Sequence, residues 1–408
     1  MIQVHVNEPP NNLPNMEDAM ENRKLLILGT RGIPGNHGGF ETFAERLAIY
    51  LKSAGWQVCV YCQSDEKTIL TREWNGIELI DIPVSREGAL GSIIFDLKAT
   101  LHALKNPGII LLLGYNTAVF SILWFIKKRV VITNMDGMEW WRRKWTLLQK
   151  IWLFLNERCA CWFSTHLIAD HPGIRMNFLE QGVSSDKITC VPYCSELVPS
   201  ADPRHLERYG LKPNQYAIII ARPEPENSIL EVVAAFAEKP RGYKLVVLGK
   251  YLPKNNAYHK EVLAVASQST EVLFLGAIYD TEVVQALRYH ARLYIHGHTV
   301  GGTNPSLVEA LAAGMPVLGH YNRFNYWVAG SEAEYFYEQK DCSLQLSQIL
   351  GNDQRLRAMR QSSFERYQKL FSNNRDVKAY EELFLSYVDS YTLDVSVSQS
   401  KREVVAQR

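Results

Sequence analysis

Short apolar runs that end in glycine or a polar residue alternate along this chain with stretches whose apolar positions recur at helical spacing. Residues 24–29 form the first run and predict a buried parallel strand. A glycine-rich loop over 30–40 leads to an amphipathic helix over 41–54, closed by Gly55, and 57–61 is the second strand. Runs at 76–82, 109–113, 130–134, 166–169 and 188–191 continue the series, with helical patterns between several of them. Pro199, Pro203 and Pro213 mark a break over 195–213, after which the alternation restarts. Strands are expected at 216–220, 244–248, 272–275, 293–295 and 315–318, and helices near 229–238, 281–288 and 305–313. Such alternation predicts a doubly wound parallel sheet on each side of the break.

Two or more helices are expected over 342–392, a disordered tail over 1–22 and a polar tail over 393–408. The span 109–126 is long enough to raise a membrane crossing, but Gly114, Tyr115, Asn116 and Thr117 interrupt it. It reads as a strand, a polar loop and a helix.

A formal net charge of +1 makes no bulk electrostatic case for nucleic acid. Seven cysteines, an odd number in a long chain, argue against a disulfide framework. Cys59 and Cys62 form a CxxC inside an apolar strand pattern, and no second CxxC completes a zinc site. A reducing cytosol is the expected compartment.

Five stretches carry candidate chemistry. In 301–319, Asn304 reads as an N-cap, Pro305 as the first helical residue and Gly314 as the helix stop. The mouth of that helix offers free backbone N–H groups and a positive dipole end to a phosphate. Glu309, one turn in, leans back toward the mouth, where it can accept hydrogen bonds from sugar hydroxyls. The loop 29–42 places five glycines ahead of the next helix, and Gly38 and Gly39 let a ligand approach the backbone. It matches neither the dinucleotide nor the P-loop spacing.

Arg222 opens the segment 222–227 after a predicted strand, where it can pair with a diphosphate. The same segment also reads as a surface turn held by Arg–Glu pairing. Asp136 and Glu139 follow the strand at 130–134 and present acids at a strand end; their spacing also fits a capping box. The stretch 140–163 holds five of the nine tryptophans, with Arg142, Arg143, Lys144, Lys150 and Arg158 beside an apolar face of Leu147, Leu148, Ile151 and Leu155. It reads as a basic helix resting on an anionic bilayer, or as a core-packed helix with a basic face. His296-Gly297-His298 reads as loop structure lining the cleft. The chain contains no Asp-x-Asp pair for a metal–diphosphate clamp and no GxSxG nucleophile elbow.

Taken together, GTRGIPGNHGGFET, MDGMEW, RPEPENS, LGAIYD and HGHTVGGTNPSLVEALAAG resemble the family 4 glycosyltransferases of the GT-B fold. Within that family they look like the bacterial rhamnosyltransferase branch. The resemblance implies an α/β GT-B architecture, two doubly wound Rossmann-like domains facing a cleft. The expected divisions are an acceptor domain at 23–200, a donor domain at 213–335 and helices at 336–392 packing back across both. It also implies a retaining transfer without a metal and with no cofactor beyond a nucleotide-sugar co-substrate.

By that resemblance, Gly38 and Gly39 approach the donor diphosphate and Arg222 neutralises it. Backbone N–H groups of Gly302, Thr303 and Asn304 hold the phosphates and Glu309 binds the ribose. Asp136 falls where many relatives place a sugar-contacting or catalytic histidine. Two positions depart from the family pattern: Gly301 stands where a glutamate is usual, and Asn227 where a lysine is common. The implied reaction moves rhamnose from dTDP-rhamnose to a lipid-linked saccharide for surface polysaccharide. It would take place at the inner face of the plasma membrane, with 140–163 on the anionic lipid and no nucleic-acid partner. A sugar-nucleotide isomerase or epimerase and a non-catalytic sugar-nucleotide-binding subunit are the rival classes on the same fold.

Overall fold

The computed structural model describes residues 23–35, 38–86, 88–142, 144–372 and 374–388. The tails at 1–22 and 393–408, and Arg143, lie outside the described residues. The first sheet contains β1 (Lys24–Leu28), β2 (Gln57–Ser64), β3 (Leu70–Trp74), β4 (Ile77–Pro83), β5 (Ile109–Leu113), β6 (Val131–Asn134), β7 (His166–Ala169) and β8 (Ile188–Cys190). Their spatial order is β3-β4-β2-β1-β5-β6-β7-β8. The second contains β9 (Tyr216–Ile220), β10 (Lys244–Leu248), β11 (Val272–Gly276), β12 (Leu293–His296), β13 (Val317–His320) and β14 (Glu334–Phe336), in the order β11-β10-β9-β12-β13-β14. Every pair is parallel except β3 with β4. All five residues of β5 are buried, as a central parallel strand covered on both faces requires.

The departures from the sequence reading have local causes. Strand β3 has no apolar run, and four of its five residues are exposed. It forms because β4 offers it an edge and because Arg72 Nε donates to Asp81 Oδ2 at 2.7 Å. Strand β14 is three residues long, too short to show a period. The strand expected at 315–318 starts two residues later, because Pro316 has no N–H to give the ladder. Pairing begins with Val317 opposite Tyr294.

The C-terminal helices divide between the two sheets. Helix Gln339–Ile349 buries Cys342, Leu346 and Ile349 in the second-domain core. The helix over 375–388 returns to the first sheet, where Val377, Tyr380 and Phe384 join Leu25, Ile27 and Leu111 in one core. Burying an aromatic ring such as Phe384 is worth about 1.5–3 kcal/mol. The return is also polar: Asn134 Nδ2, at the end of β6, donates to Tyr380 Oη at 2.7 Å. Asp376 pairs with Arg46 and accepts from the Cys194 N–H at 3.0 Å. The last helix therefore braces the strand end from which the first-domain site projects.

Candidate active site

Both sheets send loops from the carboxyl ends of their strands into one cleft, the usual ligand position in open α/β sheets. On the second domain, helix Pro305–Ala312 opens with Asn304 as its cap, whose Oδ1 accepts from the Ser306 N–H at 3.0 Å. Pro305 occupies the first turn. Ahead of it, Gly301 has φ +134, a conformation that suits glycine, and a side chain built there would meet open space.

Three elements of the first domain meet this mouth. Helix Gly39–Ser53 starts with Gly38 at φ 113 as its cap, and a Cβ on Gly39 would lie 3.6 Å from Pro305 Cγ. A Cβ on Gly137 would lie 3.4 Å from Gly301 Cα, so the turn after β6 abuts the turn after β12. Gly38, Gly39, Asp136, Gly302, Thr303 and Asn304 are thereby drawn into one neighbourhood. Asp136 is held in a left-handed conformation, φ 50, by donating its N–H to Asn134 Oδ1 at 2.8 Å. A non-glycine residue in that region carries backbone strain that surrounding contacts must hold in place.

The capping box read over Asp136–Glu139 does not form. Glu139 opens a short 3-10 turn whose cap position is Met138, with no side-chain cap bond. The Glu139 N–H that a cap at Asp136 would hold donates instead to Tyr115 Oη at 2.9 Å. Glu139 is buried and pairs with Arg142 at 2.6 Å, and Arg142 also reaches across the cleft to Glu226 at 3.0 Å. Burial, then the Asp136 carboxylate, pushes the Glu139 carboxyl up, against the pull of Arg142.

Glu226 is thus committed to Arg142, and the surface turn held by Arg222–Glu pairing is not what the segment forms. Asn227 Nδ2 and the Glu224 N–H both donate to the Arg222 carbonyl, at 2.7 and 2.8 Å, which shapes the turn. The Arg222 side chain is exposed and forms no ion pair among the described residues. Its charge acts on His298: burial, then Arg222 and Arg142, lowers that imidazole to about 3, so it is neutral at physiological pH. His296, read as loop, is the last residue of β12, because it pairs with Gly319 of β13. It is 1% exposed, and its ring stacks on His298 with centroids 4.3 Å apart. Glu309 sits in the helix behind the mouth, partly exposed, and accepts from Arg288 Nη2 at 2.5 Å.

The sequence reading missed Asp170. It follows β7 directly, the same place after a buried parallel strand that drew attention to the acids after β6. That strand-end rule is the signal that finds it. It missed the Arg142–Glu226 bridge because nothing local in either segment announces a partner 84 residues away. Two ring contacts complete the closure: His171 lies 5.0 Å from Phe324 and 4.7 Å from Trp327, centroid to centroid.

Residues 204–362 match the family described as glycosyl transferases group 1. Residues 22–196 match a domain of unknown function, DUF1972. No protein of curated function matches the chain in sequence. Among solved structures, sucrose-phosphate synthase from Thermosynechococcus elongatus is similar, with 15% identity and a TM-score of 0.75, over 90% of this chain and 100% of that one. HepE from Anabaena, solved with UDP and glucose, shares 16% identity with a TM-score of 0.70, over 90% of this chain and 100% of that one. The α,α-trehalose 6-phosphate synthase of Burkholderia multivorans shares 11% identity with a TM-score of 0.66, over 93% and 98%. Likeness at these identities concerns the fold. The chain has the GT-B fold, and its residues 204–362 match the glycosyl transferases group 1 family.

Proposed function

We propose that this chain is a retaining, metal-independent glycosyltransferase of family 4. It transfers rhamnose from dTDP-rhamnose to a lipid-linked saccharide in surface polysaccharide assembly. The observation that carries the reading is the meeting of the glycine turn at Gly38 and Gly39 with the helix mouth at Gly302–Asn304, together with Arg222, exposed beside His298 and without an ion pair among the described residues. Each suits an anion flanked by hydroxyls. The helix mouth and Arg222 take the place that a divalent cation fills in other transferases. Glu309 turns from Arg288 toward the ribose, and Asp136 contacts the transferred sugar.

In the step, the bond from the sugar's anomeric carbon to the diphosphate oxygen breaks. The acceptor hydroxyl forms the new bond on the same face, and its proton passes to the departing diphosphate. Gly301 leaves space where a bulkier acid would touch the sugar, which fits a deoxy sugar better than a fully hydroxylated one.

The test is a panel of sugar nucleotides with membrane lipid extract, in the presence of a chelator, following release of nucleotide diphosphate. Release with dTDP-rhamnose that depends on the extract is expected. Conversion of the donor without acceptor would favour an isomerase. Calorimetric binding without release from any donor would favour a binding subunit.

The membrane partner rests on one face of the first domain. Helix Leu147–Phe163 leaves Leu147 73%, Leu148 79% and Trp162 63% exposed, and the adjoining helix Ser121–Ile126 leaves Phe125 57% and Ile126 67% exposed. Phe125 and Phe163 touch, with centroids 5.6 Å apart, so the two helices share the patch. Exposed Lys127, Lys128 and Lys144 flank it, matching an anionic headgroup layer. No helix among the described residues is long and apolar enough to cross a membrane. Leu148→Ser is expected to weaken sedimentation with phosphatidylglycerol vesicles by roughly 10- to 100-fold, the equivalent of one leucine left unburied. Equal binding by the variant would refute docking through this face.

A further inference from the structure

Asp170 lies where the first domain touches the mouth of helix Pro305–Ala312. A Cβ on Gly302 would sit 2.1 Å from Asp170 Oδ1 and 2.7 Å from its Cγ, so the carboxyl group lies flush on the Gly302 backbone. Thr303 Oγ1 donates to the Asp170 carbonyl at 2.5 Å, which locks the turn after β7 against the turn before the helix. Oδ1 is buried and has no hydrogen-bond partner among the described residues. Burial, then the Asp136 carboxylate, pushes the Asp170 acid well up, while the backbone N–H groups of Thr303 and Asp170 pull it down.

A buried acceptor without a partner is costly, and one at a candidate ligand site can be satisfied when the ligand binds. An ionised phosphate at the helix mouth can only accept, whereas a hydroxyl can donate to Oδ1 or accept from it and so suits the acid in either protonation state. What can satisfy Oδ1 is a hydroxyl, and hydroxyls occur on the sugar beside the phosphate. We propose that Asp170 hydrogen-bonds a hydroxyl of the transferred sugar and so selects the donor. This rests on the reading of the cleft as a sugar-nucleotide site, and it gives to the first domain a contact that Gly301 cannot make.

The experiment compares the wild type with Asp170→Asn, whose fold is checked by its unfolding midpoint. The donors are dTDP-rhamnose and its 2-, 3- and 4-deoxy analogues, or the same series on whichever donor supports release. The wild type is expected to lose kcat/KM by about 10- to 100-fold on one analogue, the usual cost of leaving a buried polar group without its partner. Asp170→Asn is expected to treat that analogue and the parent within about 3-fold, while binding the nucleotide diphosphate alone as the wild type does. A variant that slows every donor equally, or keeps the wild-type discrimination, overturns the proposal. If the wild type releases nothing from any donor, the transferase reading fails, and calorimetry then decides the role of Asp170. Loss in Asp170→Asn of the affinity increment that the sugar adds to the nucleotide diphosphate supports it; an unchanged increment overturns it. Gly302→Ala, which displaces the carboxyl without removing it, is expected to lose the same discrimination.

Discussion

Arg222→Ala is expected to lower turnover about 10²–10³-fold while leaving the unfolding midpoint unchanged, the typical cost of removing one charge stabiliser from a transition state. The argument begins at its backbone. Two hydrogen bonds to the Arg222 carbonyl, from Asn227 and Glu224, shape the turn without using the guanidinium. Truncation therefore leaves those bonds in place. The nearby acid Glu226 is taken by Arg142. An exposed guanidinium at a strand end, unpaired among the described residues, is free to meet a diphosphate as negative charge builds on it. By the resemblance on which the proposed function rests, Asn227 stands where a second cation is common, so on that reading Arg222 shares this role with the helix mouth. Steady-state release of nucleotide diphosphate, with circular dichroism as a fold check, measures the effect. Turnover within a few-fold of wild type would remove Arg222 from the reaction.

Arg142→Ala is expected to lower stability by about 3–5 kcal/mol, because it leaves buried acids without their cation. The side chains of Arg142, Glu139 and Glu226 are 15%, 10% and 7% exposed, so water cannot replace the lost partner well. The bridge also joins the two domains, from the turn after β6 to the turn after β9. The damage should therefore appear as a lower denaturant midpoint and as a looser cleft. Arg142→Ala with Glu226→Gln should recover part of the loss, since the second change removes one of the orphaned charges. If Arg142→Ala unfolds at the wild-type midpoint, the bridge contributes nothing and closure rests on the other contacts.

Much of this molecule was legible from its residues, and the exceptions are instructive. The central strands were readable because both of their faces are buried, which forces an uninterrupted apolar run such as Ile109–Leu113. The helix mouth was readable because Asn304, Pro305 and Gly314 act through local backbone chemistry. Strand β3 was not, since its exposed residues carry no apolar signal and only the edge of β4 makes them a strand. The Asp136–Glu139 spacing pointed to a capping box because spacing cannot report that Asp136 is in the left-handed region. Asp170 was overlooked beside a conspicuous strand because its importance depends on Gly302, in the other domain.

By itself the sequence determined what depends on near neighbours: two parallel α/β sheets, the glycine turns, the capped helix opening at Asn304 and the lone arginine after β9. The tertiary structure decided which of these face one another. It set the Gly38–Gly39 turn against Pro305, gave Glu226 to Arg142 and so left Arg222 without an ion pair among the described residues, and laid Asp170 on Gly302. It also left one face of helix Leu147–Phe163 uncovered, which an amphipathic pattern alone cannot distinguish from a core helix. The physical reason is common to all four. Propensities and caps act within a few residues of chain, whereas pairing and burial depend on which surfaces the fold brings together.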